Sequence, residues 1–211
     1  MAQDFNAIAE SVITGDVAGV ASLTQQALDG GADPVQLVSE GLNGGMSVVG
    51  ARFKAGEMFV PEVLLSARAM AAGMDLCKPL IVGADMPSSG TVLLGTVKGD
   101  IHDIGKNLVA MMLESGGFTV IHAGNDVEPA AFCDMVKEHK PDVVGMSAML
   151  TTTMLAMKST IDMLKDQGLR DDVKVIIGGA PVSRDFAVEI GADGFAPDGG
   201  GALDLCKSLV N

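Results

Sequence analysis

Thr91-Val92-Leu93-Leu94-Gly95-Thr96-Val97 runs directly into Lys98-Gly99-Asp100-Ile101-His102-Asp103-Ile104-Gly105, an apolar run that ends in a tight polar turn before a helical pattern starting near Ile104. A short aliphatic run, a glycine-containing turn and then helical periodicity is how a strand feeds a helix in a parallel sheet. The alternation continues downstream. Strand candidates Val92–Val97, Phe118–Ala123, Val143–Ser147, Val173–Ile177 and a short Gly194–Ala196 are separated by helical stretches of about 10 to 15 residues. An α/β fold is therefore expected, with a doubly wound, flavodoxin-like parallel five-stranded sheet over residues 89–211.

Upstream of about residue 80 the period is helical. Asp4–Ile13 reads as a short helix stopped by Gly15, and Asp16 can cap a second, Val17–Leu28, that ends at Gly30-Gly31. Asp33 followed by Pro34 is a cap with proline at the first helical position. The third helix runs from there towards Phe53, its Gly44-Gly45 pair permitting close helix contact, and a fourth begins at Pro61 and continues to about Leu80. Four helices joined by short turns predict an N-terminal four-helix bundle over residues 1–88. Gly83–Gly90, with Pro87, Ser88 and Ser89, breaks the period and reads as a linker.

The 211 residues carry a net charge of −13, which argues against nucleic acid, because phosphate binding needs clustered Lys and Arg. No apolar stretch approaches the roughly 20 residues a bilayer demands, and the start of the chain lacks a basic-then-apolar leader. No membrane partner is expected, and a cytoplasmic location is the default. Cys77, Cys133 and Cys206 are odd in number and sit in apolar helical patterns, which suits buried thiols in a reducing compartment. With 7 Phe and no Trp or Tyr, the core falls to Leu, Val, Ala and 14 Met.

In doubly wound sheets ligands bind beyond the carboxyl ends of the strands. Three unusual loops fall there: Lys98–Asp103, Ser147–Thr153 and Gly178-Gly179. His102 is the one histidine of three placed for a functional task, whereas His122 and His139 read as structural. A neutral imidazole can ligate a metal through one nitrogen while the other donates to a carboxylate, here Asp100. The alternative is a loop histidine making a structural bond to a capping Asp. A zinc site wants three or four protein ligands, and one imidazole without a Cys or Glu cluster is too few. A metal bound here needs most of its coordination from elsewhere, as a macrocycle provides. Asp103 reads as a helix-start anion and Lys106 as a solvated charge. Ser147 and Thr151, Thr152 and Thr153 bring hydroxyls to the same edge, where capping is the alternative use. Gly178-Gly179 either admit a flat group or only make a turn. The first sheet helix lacks Gly-x-Gly-x-x-Gly, so a dinucleotide fold is poorly supported.

The run Thr96–Asn107 resembles the Asp-x-His-x-x-Gly signature of cobalamin-binding domains of the methionine synthase type. Ser147–Thr153 is similar to that family's Ser-x-Leu element, with Met149 at the Leu position, and Gly178-Gly179-Ala180 to its Gly-Gly element. Phe53–Leu64 is similar to the family's cap helices, so the resemblance spans essentially the whole chain, most like a free-standing corrinoid protein of anaerobic methyltransferase systems. The resemblance implies cobalamin or a related corrinoid, with cobalt bound base-off and His-on through His102. It implies Asp100 and Thr153 as a relay taking up the proton that eases release of the histidine. Gly99, Ile101, Asp103, Ile104, Gly105, Ser147, Met149, Thr151, Gly178 and Gly179 would contact the cofactor, and Phe53, Val60 and Val63 would cap its methyl face. The implied function is a methyl carrier, itself a non-catalytic subunit. It would accept a methyl group on Co(I) from a substrate-specific methyltransferase and deliver it as methylcobalamin to a second methyltransferase, with tetrahydrofolate or coenzyme M as acceptor. A reductive activation protein is the further implied partner. A cobalamin-responsive sensor or regulator is the competing reading, and it would need an output module.

Overall fold

The computed structural model of the chain describes residues 5–81 and 88–210. These fall into two compact units that divide near Ser88. The expected linker lies largely outside the described residues.

The first unit is helical: α1 (Asn6–Ile13), α2 (Val17–Asp29), α3 (Pro34–Gln36), a π-helical turn (Leu37–Leu42), α4 (Asn43–Lys54) and α5 (Val60–Cys77). The start signals act as the residues suggest. Asp16 Oδ1 accepts the Gly19 N–H at 2.9 Å, and Asp33 Oδ2 accepts that of Gln36 at 3.1 Å with Pro34 just inside. Glu62 Oε2 reaches back to the Phe59 N–H at 2.8 Å, so α5 opens with a satisfied donor. The third expected helix is continuous from Pro34 to Lys54, but its middle widens into the π turn, which no residue period announces. Gly45 is where close contact occurs: a Cβ there would lie 2.7 Å from the Ala9 carbonyl oxygen, whereas one at Gly44 would meet nothing. Buried α5 residues Val63, Ser66, Ala69, Met70, Gly73 and Cys77 fall on one stripe at helical spacing and face the bundle core.

The second unit is a five-stranded parallel sheet in the order β2-β1-β3-β4-β5. Its strands are β1 (Thr91–Val97), β2 (Thr119–Val127), β3 (Val143–Ser147), β4 (Lys174–Gly178) and β5 (Gly194–Phe195). The helices α6 (Ile104–Ser115), α7 (Pro129–His139), α8 (Leu155–Asp166), α9 (Arg184–Ile190) and α10 (Gly199–Val210) alternate with them. Leu93, Val144 and Val175 pack with α7, α8 and α9 on one face, while Val92, Val143 and Ile176 pack with α6 and α10 on the other. That alternation, with both sides apolar, is what a buried parallel strand requires. Phe132 is among the largest fully buried side chains, and truncation to Ala would cost about 3–5 kcal/mol.

β2 runs four residues further than Ala123, to Val127. Gly124-Asn125-Asp126 carry the polar composition of a turn, yet β1 pairs through them by shifting register at Leu94/Gly95 and Gly95/Val97. The strand order reverses between β1 and β3, so the loops after these two strands flank the switch point.

Candidate functional site

The loop after β1 is folded around one carboxylate. Gly99 takes φ +82°, a left-handed conformation, and Asp100 turns inward until only 1% of its surface is exposed. Four donors then converge on it. Oδ1 accepts the His102 backbone N–H at 3.0 Å and Nδ1 at 2.8 Å; Oδ2 accepts the Met149 N–H at 2.7 Å and the Thr153 hydroxyl at 2.7 Å. An ionised carboxylate offers about four lone-pair sites, so its acceptor capacity is filled. Burial alone would push this carboxyl up, but the hydrogen bonds from Met149, Thr153 and His102 outweigh it and hold it well below the usual carboxylate range.

This network decides the state of His102. A carboxylate can only accept, so Nδ1 carries the hydrogen, and in the neutral tautomer that this selects, the lone pair is on Nε2. The side chain is 53% exposed, so Nε2 is open to a ligand. Thr96, fully buried near the end of β1, donates from Oγ1 to the His102 carbonyl at 3.1 Å. On the other side Asp126 Oδ1 accepts the Gly99 N–H at 2.6 Å, and the Asp126 N–H donates to the Asp100 carbonyl at 2.9 Å. Neither Thr96 nor Asp126 stood out as a site residue in the sequence, because Thr96 looks like an ordinary strand-end residue and Asp126 like part of a polar turn.

The other expected site residues fall into distinct environments. Ile101 and Ile104 are 74% and 78% exposed, and Met149 and Leu150 of the adjoining loop are exposed as well. Four large apolar side chains in the open on two neighbouring loops suit an extended apolar ligand. Gly105 has negative φ, and a Cβ there would touch nothing, so the chain's own packing does not demand glycine. Gly178 and Gly179 differ: a Cβ would lie 2.9 Å from the Ala196 carbonyl oxygen at the first and 1.8 Å from that of Ala148 at the second. Close strand-end packing is sufficient reason for both. Ser147 is half-buried at the end of β3, paired in register with Gly178, while Thr151 is exposed. Asp103 accepts the Asn107 N–H through its backbone carbonyl at 2.8 Å, as helix initiation requires.

Two expectations are corrected. Lys106 is not a solvated charge: it is 5% exposed, its Nζ donates to Asn107 Oδ1 at 2.8 Å, and burial pushes its pKa down against the opposing pull of Asp103. Val63 is fully buried on the core stripe of α5 and presents no surface to a ligand, whereas Phe53 and Val60 of the helical unit are only half-buried. His122 and His139 sit on the surface, with Glu114 at 3.5 Å and Glu138 at 4.0 Å.

No group of three or more His, Cys, Asp or Glu side chains among the described residues could hold a metal ion. The site offers instead a single nitrogen, orientated by a buried carboxylate and flanked by exposed apolar residues and an uncrowded glycine, a set that fits one axial position of a macrocyclic complex. Fold and site together define a flavodoxin-like domain whose candidate ligand site is formed by the β1 and β3 loops at the switch point. A B12 binding domain profile matches residues 90–206, and a second B12 binding domain profile matches residues 5–78. The chain belongs to the B12-binding corrinoid proteins. It is 43% identical to a corrinoid protein of Desulfitobacterium hafniense, over 95% of this chain and 94% of the other. It is 45% identical to trimethylamine corrinoid protein 1 of Methanosarcina acetivorans, over 82% and 81% of the two chains. Among solved structures it is similar to a chain of the methanol:cobalamin methyltransferase complex MtaBC of Methanosarcina barkeri. The TM-score is 0.88 at 32% identity, covering 98% of this chain and 79% of that one. No helix among the described residues is long and apolar enough to cross a membrane.

Proposed function

We propose that the chain is a methyl carrier that holds its corrinoid base-off and His-on, with His102 as the lower ligand of cobalt. The observation that carries this reading is the Asp100 carboxylate 2.8 Å from His102 Nδ1, which leaves Nε2 as the free donor on an exposed ring. When bound, the corrinoid supplies a cobalt centre that takes up and gives away a methyl group. The chain's own residues do the rest. Asp100 fixes the tautomer and orientation of His102, and Met149 N–H and Thr153 Oγ1 keep the carboxylate in place. The same hydrogen bonds hold the Asp100 carboxyl low and so keep it an ionised acceptor facing the ring.

Ile101, Ile104, Gly105 and Met149 would offer an exposed, uncrowded surface to the corrin, and Gly99 and Asp103 would flank it. Ser147, Thr151 and the Gly178-Gly179 turn flank the path of the nucleotide tail. A substrate-specific methyltransferase loads the carrier, a second methyltransferase unloads it to tetrahydrofolate or coenzyme M, and a reductive activation protein restores it, all in the cytoplasm. The trimethylamine and methanol systems of the similar proteins support a small methylated donor. Reconstitution with hydroxocobalamin followed by methyl-transfer assays against a panel of methyltransferases tests this reading. Corrinoid absorbance bands that change on reduction and methylation are expected, with turnover by one of the panel. A protein that binds the corrinoid but neither accepts nor passes on a methyl group would overturn the carrier function.

A further inference from the structure

Asp126 is one of two non-glycine residues with positive φ among those described, at +53°. That region is sparsely populated by L residues, with Asp and Asn the best tolerated, and such a conformation persists only where the surroundings hold it. Here it is held by the histidine loop itself. The Asp126 carboxylate accepts the Gly99 N–H at 2.6 Å while its own N–H donates to the Asp100 carbonyl at 2.9 Å. One residue at the end of β2 therefore grips the Gly99-Asp100 segment at both of its ends. Thr96 grips the far side of the same loop through the His102 carbonyl at 3.1 Å. The loop between these anchors contains Asp100 and His102, and the β1–β2 register shifts between Leu94 and Val97 lie at the same end of the sheet.

Asp100 can bond His102, Met149 and Thr153 together only if its backbone is set at the right height above the sheet, and Asp126 fixes that height. We infer that Asp126 is a positioning residue for the axial histidine, acting through the Gly99-Asp100 segment to set how far His102 Nε2 reaches. The inference rests on the reading of His102 as the cobalt ligand.

Three variants separate hydrogen bond from backbone geometry. Asp126→Asn keeps an acceptor oxygen and tolerates positive φ; Asp126→Gly keeps the backbone conformation and loses the acceptor; Asp126→Ala loses both. Each apoprotein, grown with 15N-histidine so that histidine ligation gives a doublet, is checked by thermal melting, titrated with hydroxocobalamin, then reduced to Co(II) for measurement of the axial nitrogen splitting in the electron paramagnetic resonance spectrum. Asp126→Asn is expected to match the wild type in affinity and in the fraction of cobalt showing histidine nitrogen splitting. In Asp126→Gly and Asp126→Ala the affinity should fall on the order of ten-fold, the equivalent of one hydrogen bond, with the split fraction falling alongside. If Asp126→Gly binds and splits like the wild type, or loses melting temperature with the split fraction unchanged, Asp126 is only a strand-end residue and the inference is wrong. Absence of histidine nitrogen splitting in the wild type overturns the ligand reading and this inference with it, which separates the two failures.

Discussion

Replacing Asp100 by Asn removes a charge while keeping the shape, and the four surrounding donors determine the cost. They meet the carboxylate two at each oxygen. An amide has one oxygen, so it satisfies one pair and turns its NH2 towards the other. With the amide oxygen at the Oδ1 position, the His102 bonds survive and the Thr153 hydroxyl rotates to accept, but the Met149 N–H faces a donor. With the oxygen at the Oδ2 position, the Met149 and Thr153 bonds survive and the His102 N–H faces the donor. The His102 ring then accepts through Nδ1, which moves its hydrogen to Nε2 and abolishes the ligating lone pair. Either way one part-buried backbone N–H loses its partner, a cost of about 1 kcal/mol. Urea unfolding of the apoprotein, followed by far-UV circular dichroism because the chain has no Trp or Tyr, should show that loss. Hydroxocobalamin affinity should fall with it. An Asp100→Asn protein within about 0.5 kcal/mol of the wild type, with unchanged affinity, would refute the claim that this carboxylate is a saturated acceptor.

Two glycines should respond oppositely. Gly105→Ala, in open space near the start of α6, should leave the apoprotein as stable or up to about 1 kcal/mol more so while weakening corrinoid binding, whereas Gly179→Ala, at φ +121° and against the Ala148 carbonyl, should destabilise the apoprotein severely. Melting curves and corrinoid titrations check both, and equal behaviour of the pair would contradict the assignment. The pH dependence arises from Asp100, whose folded-state carboxyl lies below the ordinary value of about 3.9. Its contribution is complete above that value and is lost as pH falls towards the folded-state value, so the stability gap between wild type and Asp100→Asn should shrink below about pH 4. Burial pushes the Cys206 thiol up to about 12 and raises Cys77 and Cys133 as well, so iodoacetamide at pH 8 should label none of them in the native protein and all of them in denaturant.

The sheet was legible because its central strands β1, β3 and β4 are buried on both faces and therefore read as nearly uninterrupted apolar runs; Val143–Ser147 coincides with its strand to the residue. The C-terminal part of β2 was not, since Gly124-Asn125-Asp126 carry turn chemistry and are held in the sheet only by pairing with β1. The π turn at Leu37–Leu42 and the burial of Lys106 likewise come from tertiary packing, which has no local signature. At the site, the Asp100–His102 pair lies two residues apart and shows in the sequence itself, and the family motif brought Thr153 to the same carboxylate from 53 residues away. The Met149 contribution was invisible because it comes from a backbone N–H that any residue possesses. Asp126 was hidden for a related reason: its role depends on a left-handed backbone that polar composition alone leaves undetermined.

Ligation of cobalt by His102, through the nitrogen that Asp100 leaves free, is open to a direct spectroscopic test. Apoprotein grown with 15N-histidine is loaded with hydroxocobalamin, reduced to Co(II) and read in one electron paramagnetic resonance spectrum. If histidine is the axial ligand, the triplet splitting from 14N becomes a doublet in the labelled protein, and in His102→Ala the doublet disappears. A triplet that survives labelling, or a splitting retained in His102→Ala, would show that the cofactor's own base or another residue occupies that position, and His102 would not be the ligand.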